Sequence, residues 1–185
     1  MTATAAPPTA PDSVPSRPSR WRYPLLALVL VFAAFWIWAL FFASKESING
    51  IGEDDWTDRA QAICEAAEAE RQDLADFREV DDESQAMLTE RAAIVDRATD
   101  ILERMLDDVV AVRPTGEKGA DLVPLWEADY RTYLGDRRSF SDDLRAGKYD
   151  AFAENVVDGI PISDKIARFA ADNHMPACSP PADLG

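Results

Sequence analysis

Residues 24–43 read PLLALVLVFAAFWIWALFFA, twenty positions without a charged side chain. As an α-helix rising about 1.5 Å per residue, such a run spans about 30 Å, the hydrocarbon thickness of a bilayer. Inside lipid a helix satisfies its own backbone hydrogen bonds, so it is the structure the run can adopt there. The run has no polar face, which argues against a buried helix of a soluble domain. Pro24 falls in the first turn, where its missing N–H costs little. Trp21 and Tyr23 at one end, and Trp36, Trp38, Phe41 and Phe42 toward the other, suit the two interfacial belts. Residues 24–43 therefore read as a transmembrane helix.

The flanking charges orient it. Arg17, Arg20 and Arg22 precede the span, whereas only Lys45 follows closely, beside Glu46 and ahead of Glu53, Asp54 and Asp55. The positive-inside rule places the N-terminus in the cytoplasm and the C-terminal domain outside the cell membrane. A cleaved signal peptide is the competing reading. It needs a shorter apolar stretch and small residues at the cleavage site, and Phe41-Phe42-Ala43 supplies a bulky residue where a small one is required. The expectation is an uncleaved signal anchor crossing the membrane once.

The charge is uneven on the two sides of this span. Residues 1–23 hold three of the 19 basic and one of the 34 acidic side chains, which leaves 16 basic and 33 acidic residues beyond them, a formal −17. A nucleic-acid surface needs clustered Lys and Arg, so nucleic acid is excluded as a partner, and so is a domain lying on anionic lipid. Residues 1–23, rich in Pro, Ser, Thr and Ala, lack the large apolar residues that would offset ordering entropy and read as a disordered cytoplasmic tail. About 20 residues leave no room for a cytoplasmic catalytic or DNA-binding domain. Residues 44–53, with Asn49, Gly50 and Gly52, read as a linker.

Residues 54–178 read as an all-α domain, since no stretch alternates convincingly with period two. A first helix is expected from about Asp55, its cap, to Phe77, with Trp56, Ala60, Ile63, Ala67, Leu74 and Phe77 as its stripe. A second runs from about Glu83 to Val112 behind an Asp82-x-x-Gln85 capping box and buries Leu88, Val95, Leu102, Met105, Leu106 and Val109. After a turn at 115–119, a third runs from about Leu122 to Ala146, capped by Asp121, with Leu122, Trp126, Tyr130, Tyr133, Phe140 and Leu144 inward. Short helices at about 150–157 and 161–172 complete an antiparallel bundle of three long helices plus a split fourth. Residues 179–185 are left as a C-terminal tail.

The two cysteines are Cys64, in the first helix, and Cys178. Outside the cell a distant pair reads as a disulfide stapling the C-terminal segment to that helix; the alternative is two buried free thiols. No metal site is expected, because His174 is the only other soft ligand and no calcium loop of the D-x-D-x-D-G type occurs. Asp129, Tyr133, Arg137 and Arg138 place polar groups along the third helix and form the candidate polar site. Two readings stay open for them, a ligand site or satisfied structural ion pairs. There is no GxSxG, HExxH or CxxC motif and no cofactor fingerprint, so no catalytic residue and no cofactor is expected.

The stretches LWEADYRTYLGDRRSF and PISDKIARFAADNHMPAC resemble a set of uncharacterised actinobacterial single-pass membrane proteins. The features that carry the resemblance are Cys64, Trp126, Asp129, Tyr130, Arg137, Arg138, Asn173, Met175 and Cys178, over about residues 20–180. It implies a basic tail, one span and a small extracytoplasmic helical domain, and it supplies no mechanism. The functional expectation is a non-enzymatic module of the cell envelope that meets the lipid bilayer and another envelope protein. The alternatives are a small-ligand sensor or binding accessory acting with a partner and, more remotely, a hydrolase using acidic residues.

Overall fold

The structure is a computed structural model that describes residues 22–41, 47–74 and 84–184. The expected tail up to residue 21, Phe42 and Ala43 at the end of the span, and Phe77, Asp82 and Glu83 lie outside the described residues.

The first helix, α1 (Arg22–Phe41), is a unit by itself. Over Tyr23–Phe41 it is long and apolar enough to cross a membrane. Its large apolar side chains are exposed.

The second unit is the expected helical bundle. It comprises α2 (Asp54–Gln72), α3 (Gln85–Val110), α4 (Glu117–Arg145), a two-stranded hairpin β1 (Val156–Val157) and β2 (Ile160–Pro161), α5 (Ile162–Asp172) and a 3₁₀ turn at Pro176–Cys178. Neighbouring helices run antiparallel, as their cross-contacts show. Between α2 and α3, Arg59 reaches the Asp108 and Val109 carbonyls while Arg104 pairs with Glu70. Between α3 and α4, Arg131 pairs with Asp107 while Arg138 pairs with Asp96, Asp100 and Glu103. Between α4 and α5, Asp129 meets Lys165 and Trp126 meets Phe169.

The core follows the apolar spacing of each helix. The α3 stripe Leu88, Val95, Leu102, Met105, Leu106 and Val109 is buried as expected, with Ala92, Ala98 and Ile101 filling between. The α4 face buries Val123, Trp126, Tyr130, Tyr133, Leu134 and Leu144. The face of α2 is thinner: Trp56, Ala60, Cys64 and Ala67. Aromatic rings run through the bundle in edge or stacked contact, from Phe169 through Trp126, Tyr130 and Tyr133 to Phe152 and Phe140, with centroids 5.4–6.2 Å apart.

Several boundaries differ from expectation for identifiable reasons. The third long helix begins at Glu117, taking in the last three residues of the expected turn, so Pro124 lies inside it. That start is stabilised from outside the helix, by Glu53. Ser84 accepts from the Met87 N–H and caps α3; Gln85 instead donates to the Arg145 carbonyl. Asp55 is not a cap but a first-turn acid of α2, where it suits the helix dipole. The helix expected at 150–157 is replaced by an extended segment and the hairpin. Asp158 and Gly159 both have positive φ, 55° and 78°, the pattern of a two-residue type I′ turn that Asp-Gly favours. The linker docks on the bundle: Ile51 is buried, its N–H donates to Asn173 Oδ1 at 2.8 Å, and Asn49 Nδ2 donates to Asp172. Residues 179–184 also pack on it, with Leu184 against the cluster of Leu88, Ala92, Val95 and Leu144.

Candidate functional site

The four residues of the candidate polar site lie on α4 but reach three different places. Arg137 and Tyr133, one turn apart, point into the bundle. Arg137 is wholly buried. Its Nε donates to Thr99 Oγ1 on α3 at 3.0 Å, and Nη1 and Nη2 form a fork onto the Asp183 carboxylate at 2.6 and 3.1 Å. Burial works against this charge, and the Asp183 hydrogen bonds and charge more than offset it, so the guanidinium pKa lies above its ordinary value. Arg71 of α2 adds a contact to Asp183 at 3.4 Å. The Tyr133 hydroxyl donates to the Pro181 carbonyl at 3.1 Å. Burial raises the Tyr133 phenol above its usual range, against the pull of Arg137.

Asp129 and Arg138 do not join this cluster. Arg138, two-thirds covered, reaches over α3 to Asp96, Asp100 and Glu103. Asp96 also accepts from Arg145 and from Ser141, so this is a half-exposed network binding α3 to α4. Asp129 faces α5, where it pairs with Lys165 at 3.0 Å.

The Asp129–Lys165 pair lines a groove of about 400 Å³ between α4 and α5. Trp126 and Phe169 stack within it at 5.6 Å, Leu122 and Ile160 extend the apolar wall, and exposed Leu125 and Arg168 stand on it. An apolar hollow with a few charged groups is the ordinary character of a binding cleft. The buried Trp126 Nε1 and Tyr130 hydroxyl find no hydrogen-bond partner among the described residues. Burial pushes the Tyr130 phenol well above its usual range, and Tyr133 adds to the effect.

Cys64 and Cys178 form a disulfide, with Cα atoms 5.1 Å apart. It is seated by the Ala177 N–H donating to Gln61 Oε1 at 3.0 Å. His174 is exposed and sits at φ 57°, where it ends α5: its N–H donates to Ala171 and that of Met175 to Ala170. This is a Schellman close, so backbone geometry accounts for its position. Among the described residues no three His, Cys, Asp or Glu side chains come together as a metal-holding group.

Sequence reasoning missed Thr99 and Asp183. Thr99 reads as one more residue on an amphipathic helix, although a hydroxyl in a buried stripe facing an Arg on the next helix is a usable signal. Asp183 carries no local signal, being an acid in a short Pro-rich stretch. No family model, curated protein or solved structure matches the chain.

Proposed function

We propose that the chain is a non-enzymatic, single-pass protein of the cell membrane, with its N-terminus cytoplasmic and its bundle outside as an interaction or structural module for another envelope protein. The observation that carries this reading is the Cys64–Cys178 disulfide in a domain that follows an apolar, membrane-length helix. Disulfides persist in oxidising spaces, and the Arg-flanked span argues for the same side on independent grounds. The acidic bundle surface suits a protein partner better than anionic lipid or nucleic acid.

Two measurements test it. Single cysteines at Ser13 and at exposed Asp121, in a background lacking Cys64 and Cys178, are treated in intact cells with a membrane-impermeant thiol reagent. Labelling at Asp121 and not at Ser13 is expected; the reverse pattern overturns the topology. Photo-crosslinkers at exposed Leu125, Val112 and Val156 should give adducts with an envelope protein in living cells. Adducts at none of the three remove the interaction role.

The α4–α5 groove favours a second reading, a small-ligand accessory. A small molecule that raises the melting temperature of the wild type but not of Leu125→Glu would establish it.

A further inference from the structure

We propose that Arg137 and Arg71 form a binding site for a peptide carboxylate, which residues 179–184 occupy in cis through Asp183 and which a Pro-rich segment of the partner protein bearing one Asp or Glu takes in trans. The proposal rests on the reading that the bundle binds another protein, and it names the place and the chemistry of that contact.

The site is built by the bundle rather than by its occupant. Arg71 comes from α2, Thr99 from α3, and Tyr133 and Arg137 from α4. Thr99 fixes the Nε edge of the guanidinium, and the Tyr133 hydroxyl lies 3.4 Å from Nη1. Thr99 and Tyr133 thus hold two edges of the guanidinium, and its remaining fork faces the Asp183 carboxylate, the arrangement that lowers the ordering cost of binding. A buried ion pair is not needed for stability as such, because an apolar pair of the same volume commonly does as well. Deep burial of Arg137 under a carboxylate that itself remains partly open to solvent suits exchange of the occupant better than a permanent lock.

The occupant has the form of a docked peptide. Ser179 has φ −71° and ψ 148°, polyproline-like backbone, and Pro180 and Pro181 follow it. The segment offers one carbonyl, that of Pro181, to Tyr133, one carboxylate to the two arginines, and one apolar side chain, Leu184, to the cluster of Leu88, Ala92, Val95 and Leu144. It begins just after Cys178, so the disulfide holds the bundle closed whether or not the segment is seated.

The test uses the full chain, detergent-solubilised with the disulfide intact, and a fluorescent peptide of residues 179–185 with an amidated end. A tethered cis segment competes at an effective concentration in the millimolar range, so its loss should expose the site. Asp183→Ala should bind the peptide about tenfold or more tighter than the wild type. A peptide with Ala in place of Asp should bind neither, and Arg71→Gln added to Asp183→Ala should weaken binding. Equal binding to wild type and Asp183→Ala, no binding to a folded Asp183→Ala, or equal binding of the Ala peptide overturns the proposal. So does loss of a cooperative melt in both Asp183→Ala and Asp183→Asn, since the segment is then an inseparable part of the fold. Because the assay uses purified protein, its failure leaves the topology and crosslinking results intact, and their failure leaves the peptide result intact.

Discussion

Glu53 directly precedes α2, yet its carboxylate caps α4: Oε2 accepts from the Thr115 N–H at 2.7 Å and Oε1 from the Gly116 N–H at 3.0 Å. The Thr115 N–H is the main cause of a pKa held below the usual carboxylate value, with the Gly116 N–H and the Thr115 hydroxyl adding to it. A carboxylate depressed in the folded state stabilises above its unfolded pKa, and that stabilisation is lost as pH falls through the folded value. Glu53→Gln should therefore melt below the wild type above about pH 5, and the gap should close as pH falls below about 4. Thermal melts of both proteins across pH check this; a gap independent of pH would mean that the charge contributes nothing.

Gly119 sits in the first turn of α4 directly against this cap. A Cβ there would lie 2.6 Å from both Glu53 Oε1 and Pro114 Cβ. Ala is normally the better helix residue by about 1 kcal/mol. Overpacking costs about 1–3 kcal/mol, and neither the ring of Pro114 nor a carboxylate held by two backbone donors gives way readily. Gly119→Ala should lower the melting temperature, and a rise would show that the cap relaxes freely.

Thr99 joins Arg137 to α3. Its hydroxyl donates to the Val95 carbonyl at 2.7 Å and accepts from Arg137 Nε at 3.0 Å. Thr99→Val keeps the volume and removes the acceptor, leaving a buried charged donor unmatched. The expected loss is about 1–3 kcal/mol by denaturant titration. A change within about 0.5 kcal/mol, the range of ordinary surface substitutions, would place another acceptor on Nε.

His174 holds a left-handed backbone, φ 57°, at the close of α5. That conformation costs a residue with a side chain about 1–2 kcal/mol, and glycine gives back part of the gain through its freer unfolded chain. His174→Gly should stabilise by about 0.5–1 kcal/mol. A loss of stability would assign the imidazole a contact that outweighs the backbone.

These residues show what the sequence could convey. Burial periodicity made α3 and α4 legible, because Leu88 through Val109 and Trp126 through Leu144 repeat at helical spacing, although Val123 rather than Leu122 is the buried residue at the start of the α4 face and Phe140 is half-buried. The caps of α4 and α5 were not legible, since their donors meet acids distant in the chain. Glu53 serves Gly116, and Glu154 accepts from the Ser163 N–H and hydroxyl, both at 2.8 Å. Rules for local capping look one turn away and therefore proposed Asp121 and Asp55. The helix expected at 150–157 did not form, although Phe152 and Val156 sit at helical spacing. Phe152 instead packs edge-on against Tyr133 and Phe140, and Asp136 takes the Asn155 N–H at 2.8 Å. For the candidate polar site, helical spacing correctly joined Tyr133 to Arg137. It could not reveal that Asp129 faces α5, or that the carboxylate opposite Arg137 comes from residue 183.

The disulfide closes a sequence separation of 114 residues, enclosing the second half of α2 and everything through α5. In the chain-entropy account a loop of that size stabilises by about 4–5 kcal/mol, against a typical total of about 5–15 kcal/mol for a domain. The α2 face is thin, two of its four core apolar residues being alanines, so the staple carries much of the attachment of α2 to the C-terminal segment. A single substitution would leave an unpaired reactive thiol, so the clean variant is Cys64→Ser with Cys178→Ser. Its melting temperature should fall by about 10 °C or more. Reductant should lower the wild type by a similar amount and leave the double variant unmoved. Non-reducing mass spectrometry of the native protein should recover a linked Cys64–Cys178 peptide. Two free thiols there, or a double variant that melts with the wild type, would leave the C-terminal segment held by packing and by the Asp183 fork alone.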